Sequence, residues 1–180
     1  MLGAFFAYSY INVFELPFYL AFPATILTMA IIGALTERLL LRPMIGEPHF
    51  SVLMLTIGLG FILRAVAGAI WGNEPRALST PYAGGVIDLN GLIIGDENLV
   101  IILGTAALCL LLYFFFRFTR LGLAMQAASQ NQLAAFYVGI PVKRVYSMVW
   151  AISASISAVA GILVAPVSLI DPLMGFVGIK

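Results

Sequence analysis

Long apolar stretches alternate with short polar ones along this chain of 180 residues. A helix needs about 20 residues to cross the hydrocarbon of a bilayer, and the apolar stretches of that order predict spans at 17–36, 50–72, 99–116 and 146–165. The stretch 1–14 is apolar but too short to cross alone, so we interpret it as part of a span. The pattern therefore predicts an all-α, polytopic membrane protein built as a multi-span helical bundle.

Composition supports a lipid environment. The chain is 62% hydrophobic and 9% charged, with a mean hydropathy of +1.08, and a soluble domain of this length could not cover so much apolar surface. The net charge of +1 gives no electrostatic basis for binding nucleic acid. With a single cysteine, Cys109, no internal disulfide can form.

Residues that carry chemistry are scarce. The sequence has one histidine, His49, which we interpret as incidental in a cytosolic turn, and no cluster with metal-ligand spacing. It also has no Ser/His/Asp set, no glycine-rich phosphate loop and no CxxC pair. We therefore expect no catalytic site and no metal site, and predict that the chain is not an enzyme.

The distribution of charge predicts the orientation of the spans. By the positive-inside rule the connections 37–49 and 117–144 should lie in the cytosol, since they carry the basic residues Arg38, Arg42, Arg117, Arg120, Lys143 and Arg144. The connection 73–98 carries only Arg76 against Glu74, Asp88, Asp96 and Glu97, so it should lie outside. Within it, short apolar pairs on either side of Asn90-Gly91 predict a small hairpin or paired turn.

The connection between the last two spans contains signals for a short helix of its own at 129–138. Ser129 and Gln132 have capping-box spacing, Gly139 suits the C′ position, and Pro141 prevents the helix from continuing. An ordered cytosolic helix between two spans is suited to docking a partner. We therefore predict a docking element here.

Two features inside the spans suggest roles. Small residues recur every fourth position in the last span, at Ser153, Ser157, Gly161 and Ala165. We interpret them as a helix-packing stripe, and the alternative is a polar wall of a substrate path.

Arg64 lies within the span 50–72, where it either snorkels outward or serves a functional, wet cavity. Two acids, Glu15 and Asp171, should lie near the outer face and are interpreted as solvated.

Several segments together resemble the branched-chain amino acid ABC transporter permeases, in particular the smaller of the two permeases in that system. The segments that show the resemblance are GLAMQAASQNQLAAFYVGIPVKRV, the later AGIL and PLMG, the opening MLGAFFAY, and ERLLLRPMIGEP with LTIGLGFIL. The resemblance covers essentially all 180 residues. Relative to that family the first and last helices are missing, so we interpret 1–180 as a single transmembrane permease domain truncated at both ends.

The resemblance implies a subunit of the inner (plasma) membrane that pairs with a second permease. Two cytosolic ATPases would bind the ATP, so no cofactor is expected in this chain, and a periplasmic binding protein would deliver the substrate. The family's coupling helix maps onto an ATPase-facing set, namely Gln130, Asn131, Ala134, Ala135, Gly139 and Ile140. The usual acidic residue of that motif is absent, with Gln130 and Gln132 standing nearby instead.

The leading functional hypothesis is a permease subunit of an ATP-binding-cassette importer that forms the membrane path for branched-chain amino acids. One alternative keeps the fold but imports another small polar solute, such as an amide, urea or a sugar. A second is an ion-coupled secondary transporter, which would place ionisable groups at mid-membrane, where Arg64 is the one candidate. A third is a membrane scaffold without transport. Whether the partner permease is a copy of this chain also stays open.

Overall fold

The computed structural model describes residues 1–44, 47–78, 80, 86–89 and 92–172. Within this part the chain forms helices α1 Leu2–Asn12, α2 Phe18–Thr36, α3 His49–Trp71, α4 Asp96–Phe118, α5 Arg120–Gln130, α6 Gln132–Tyr137 and α7 Val142–Ser168. A small antiparallel hairpin pairs β1 Val86–Leu89 with β2 Leu92–Gly95, and the predicted turn at Asn90-Gly91 lies outside the described residues. Four of the helices are long and apolar enough to cross a membrane, which confirms the prediction of a polytopic α-helical protein.

Helix α2 does not give way to a connection at Glu37, so that prediction is wrong. The helix continues as a π-turn, Glu37–Leu41, and a 3-10 turn, Arg42–Met44. Glu37 is only 2% exposed; the Ser147 hydroxyl on α7 donates a hydrogen bond to its Oε2, while its Oε1 is buried without a hydrogen-bond partner in the described part of the chain. Burial of a polar group is tolerated where a partner of this kind is present.

The spans α4 and α7 extend beyond the ranges that hydrophobicity alone marks. Helix α4 begins at Asp96, so Asp96 and Glu97 occupy its first turn, where negative charge is favourable for the helix dipole. Helix α7 begins directly after Pro141 and includes Lys143 in its first turn. Polar residues at these ends belong to the helices rather than to the connections between them.

The bundle is organised around α7, which packs most extensively against α2 and also against α1. Glycines make the close approaches possible. A Cβ atom on Gly33 would lie 2.6 Å from the Ala154 Cβ and 2.6 Å from the Trp150 carbonyl oxygen. On Gly3 it would lie 2.5 Å from the Ala158 Cα. Small residues therefore allow the backbones of these helices to approach closely in lipid.

The packing stripe of α7 lies one residue away from part of the predicted one. Ser153 and Ser157 are exposed, so the interpretation that they pack helices does not hold within this chain. Gly161 and Ala165 are buried, and they share the buried face with Ala158. Residues four apart lie on the same face of a helix, and α7 has small residues on two neighbouring faces. The sequence pattern alone therefore did not distinguish the face of Ser153 and Ser157 from the buried face that includes Ala158.

Candidate functional site

Helix α5 turns back onto the end of α4 and is fastened there. The Thr119 hydroxyl caps it by accepting a hydrogen bond from the Gly122 N–H at 3.0 Å. A Cβ on Gly122 would lie 2.6 Å from the Phe115 carbonyl oxygen, so only glycine fits this contact. The Gln126 side-chain amide donates to the Phe116 carbonyl at 3.2 Å. Sequence reasoning treated this segment as connection, although Thr119 before Arg120 is an N-cap signal.

A break at Asn131 separates α5 from α6. The Asn131 side chain accepts a hydrogen bond from the Ala134 N–H at 3.0 Å, which makes it the N-cap of α6. The predicted cap, Ser129, lies inside α5, where its hydroxyl donates to the Gln126 carbonyl, so the predicted start at 129 is wrong. Asparagine is at least as good an N-cap as serine, and its position two residues later decides where α6 begins.

Gly139 closes α6 in the manner that the sequence predicts for a C′ residue. Its φ of +86° lies in the left-handed region. The Gly139 N–H donates to the Phe136 carbonyl, and the Ile140 N–H donates to the Ala135 carbonyl, both at 3.0 Å. This is the Schellman arrangement that satisfies the last carbonyls of a helix. Helix α6 is therefore short but defined at both ends.

The side chains of α6 divide into an inward and an outward set. Ala135 is only 3% exposed, so it packs against the chain instead of facing a partner. Of the other predicted ATPase-facing residues, Ile140 is half-buried, and Gln130, Asn131, Ala134 and Gly139 are exposed. The large outward side chains are apolar, between 66% and 82% exposed. They form what we call the α6 face, which consists of Leu133, Phe136, Tyr137 and Val138.

A groove of about 550 Å³ runs beside the α6 face to the start of α7. Leu133 and Phe136 of the α6 face line it together with Lys143 and Tyr146 of α7. The lining of the groove is mostly apolar and includes one basic residue, Lys143. Residues 117–145 contain no acidic residue that would offset this charge. Such a surface is complementary to an apolar partner segment that carries acidic groups. The predicted set did not include Leu133, Phe136 and Tyr137, although apolar residues on a short polar-flanked helix were a usable signal.

A second polar feature lies at the opposite end of the bundle, where α3 and α7 end. Arg64 lines a cavity of about 850 Å³ there, together with Asn73 and Asp171. Arg64 thus has beside it a cavity, one of the two environments that the sequence analysis offered for this residue. Asp171 was interpreted as merely solvated, and the structure brings it to the same cavity.

Comparison with known proteins agrees with this architecture. The family described as branched-chain amino acid transport system / permease component matches residues 1–177. The chain is 26% identical over 166 residues to the high-affinity branched-chain amino acid transport system permease protein BraD of Pseudomonas aeruginosa, covering 89% of this chain and 54% of BraD. It is 28% identical over 160 residues to LivH of Escherichia coli K12, a permease protein described in the same words, covering 86% and 52%.

A third relative is the probable branched-chain amino acid transport permease protein LivH of Methanocaldococcus jannaschii. It is 27% identical over 180 residues, covering 97% of this chain and 57% of the relative. The chain thus spans about half the length of the curated relatives that it matches. No solved structure matches the chain. The chain is a multi-pass protein of the inner (plasma) membrane, with four described helices that are long and apolar enough to span it. It belongs to the family of branched-chain amino acid transport system permease components.

Proposed function

We propose that the chain forms part of the transmembrane path of an ATP-binding-cassette importer for branched-chain or related amino acids. The observation that carries the proposal is the α6 face, an exposed apolar surface on a short, doubly capped helix between two spans. Membership of a permease family supports it. In this proposal the α6 face docks into a cytosolic ATPase, and ATP is bound by that partner rather than by this chain.

The connections of α6 suggest how its displacement would reach the membrane. Helix α7 starts at Val142, directly after the Gly139 cap and Pro141. Ser147, in the second turn of α7, is hydrogen-bonded to Glu37 at the end of α2. Since α2 and α7 form the tightest packed pair in the bundle, we propose that a shift of α6 moves both as one unit. Rigid-body motion of packed helices is a common mode of transport conformational change.

The proposed assembly contains three kinds of partner. A second permease would complete the path, two cytosolic ATPases would bind the α6 faces, and a periplasmic protein would deliver the amino acid. The relatives' names support the amino acid class, and none of the described residues carries a cofactor role in this proposal. The same-fold alternative, import of another small polar solute, has no comparable support.

The proposal requires α6 to lie in the cytosol and the hairpin outside. In a background with Cys109→Ser, we expect Glu74→Cys to react rapidly with an impermeant maleimide added to intact cells, because Glu74 is exposed and belongs to the connection that is predicted to lie outside. Gln132→Cys, equally exposed on α6, should react only after the membrane is permeabilised. Rapid labelling of Gln132→Cys in intact cells would contradict the orientation.

Transport itself is tested with the assembled importer in proteoliposomes. We expect leucine uptake that requires ATP and the binding protein, and that is unchanged when ionophores collapse the ion gradients. An ion-coupled secondary transporter would instead lose uptake with the gradient and ignore ATP. A reconstituted complex that moves no amino acid at all would overturn the proposed function.

A further inference from the structure

The groove beside the α6 face carries a single charge in an otherwise uncharged lining. Of the described residues that line it, Lys143 alone is charged. Gln132 and Tyr146 add neutral hydrogen-bond donors, and the rest of the lining is apolar. Within the part of the chain that the structure describes, the Lys143 ammonium makes no ion pair and no hydrogen bond. The groove therefore holds a positive charge without a negative counterpart from this chain.

Lys143 is also poorly placed for the helix that carries it. It lies in the first turn of α7, which begins at Val142. A cation near the N-terminus of a helix is unfavourable, because the helix dipole has its positive end there. The first turn of α7 contains no acidic residue that would offset the charge. An anionic group from outside the chain would compensate both the ammonium and the dipole.

Backbone hydrogen bonds fix both walls of the groove. On the α6 side, the Ile140 N–H donates to the Ala135 carbonyl at 3.0 Å. On the α7 side, the Arg144 and Val145 N–H groups donate to the Pro141 carbonyl at 2.9 and 3.1 Å, and the Val145 side chain is buried. The groove is thus preformed, which lowers the ordering cost of binding a partner.

We propose that this groove receives an apolar segment of the cytosolic ATPase that contains an Asp or Glu, and that Lys143 pairs with the carboxylate of that residue. The inference rests on the proposed function and specifies the partner's chemistry at the same surface. Tyr146 follows Lys143 by three residues and therefore lies on the same face of α7, so its hydroxyl donates to the same carboxylate. Leu133 and Phe136 contact the apolar part of the segment.

Charge complementarity favours this occupant over others. A wholly apolar segment, such as a membrane helix of a second permease, would bury the Lys143 ammonium without compensation, which is costly. A basic segment would be repelled by it. An anionic phospholipid headgroup would satisfy the charge, but it would leave Leu133 and Phe136, which line the same groove, uncovered. An acidic residue within an apolar protein segment satisfies both parts of the groove.

Arg144 provides an internal comparison for Lys143. Both residues are exposed and lie in the first turn of α7, so both contribute to the positive-inside bias to the same extent. Arg144 does not line the groove. If these charges only orient the membrane spans, reversal of either should have the same effect. If the groove binds a carboxylate, reversal at Lys143 should be the damaging one.

The direct test is a zero-length cross-link in the assembled importer. A water-soluble carbodiimide activates a carboxyl group, the Lys143 Nζ attacks the activated carbon, and an amide bond forms while the carbodiimide leaves as a urea. We expect a permease–ATPase product in which mass spectrometry finds Lys143 joined to an Asp or Glu of the ATPase. Lys143→Arg should keep normal uptake, because it keeps the charge, but should give no such product, because a guanidinium does not form the amide.

Charge variants then measure how much the pair contributes to docking. With the permease in nanodiscs of phosphatidylcholine, which supply no anionic lipid, Lys143→Glu should weaken ATPase binding by about tenfold or more. Arg144→Glu is the matched control and should bind as the unmodified protein does. Lys143→Gln should weaken binding less than Lys143→Glu, and its difference from the unmodified protein should shrink as the salt concentration rises, because ions screen an exposed charge.

The failure of this inference is distinguishable from failure of the proposed function. If the complex imports leucine with ATP but gives no Lys143 product with the ATPase, the partner assignment is wrong and the importer stands. Equal effects of Lys143→Glu and Arg144→Glu would also overturn it. So would a Lys143→Glu defect that appears only in membranes with anionic phospholipid, which would assign the charge to a headgroup. A complex that imports no amino acid would overturn the proposed function itself.

Discussion

Phe136→Ala in α6 should lower ATP-dependent uptake by at least about tenfold while membrane insertion stays normal. Phe136 is 66% exposed, so its truncation removes little that stabilises the fold of this chain. If the ring enters a pocket of the ATPase, it is a central aromatic anchor, and such residues dominate interface energies. The measurement is leucine uptake and binding-protein-stimulated ATP hydrolysis by the reconstituted complex, and both should fall.

Phe118→Ala is the matched control. Phe118 is 69% exposed, lies at the end of α4 and does not line the groove beside the α6 face, so the same truncation there should leave uptake near normal. Equal effects of the two changes would mean that the α6 face has no special role. Ala135→Arg is a poorer test, because Ala135 is buried and the change would disrupt the seating of α6 whatever that helix binds.

Gly33→Ala should lower the free energy of unfolding by about 1–3 kcal/mol, the usual effect of overpacking. The new methyl would lie 2.6 Å from the Trp150 carbonyl and from the Ala154 Cβ, and neither can move without separating α2 from α7. Gly58→Ala, in the middle of α3, meets nothing within 4 Å. There the better helix propensity of alanine should raise stability by up to about 1 kcal/mol.

The comparison is made by thermal unfolding of the purified protein in detergent. Opposite shifts in midpoint, downward for Gly33→Ala and upward for Gly58→Ala, are the expected result. A midpoint for Gly33→Ala at or above that of the unmodified protein would show that α2 and α7 do not approach as closely as described.

The sequence was sufficient to predict the number and approximate position of the spanning helices, because lipid forces each span to be long and apolar. The prediction from sequence was wrong where contacts with distant parts of the chain determine where a helix ends or begins. Glu37 ends a span by composition, yet the helix continues through it, and Ser147, far along the chain, donates a hydrogen bond to one of its carboxylate oxygens. Ser129 and Asn131 are both acceptable caps locally, and the seating of α5 on α4 selects Asn131.

In the candidate site, too, some features follow from the local sequence and others only from tertiary packing. A short helix closed by Gly139 was predictable from turn chemistry alone. Which of its faces points outward was not, since Ala135 and Phe136 are adjacent and only packing against the rest of the chain distinguishes them. Likewise, nothing local in the sequence connects Arg64 with Asp171. They meet because α3 and α7 end at the same side of the bundle and Arg76 ties those ends together.

The π-turn at Glu37–Leu41, which continues α2, determines the direction around the helix axis in which the following residues point. A π-turn holds one residue more than the α-helical turn it replaces, and one residue corresponds to about 100° around a helix. The segment after the turn, Arg42–Met44, is therefore re-phased relative to the membrane-embedded part of α2. The Arg42 Nε lies buried in this segment. Gly33 in the spanning part of α2 can thus face α7, while the side chains of Arg42–Met44 point in directions that they would not have in a regular α-helix of the same sequence.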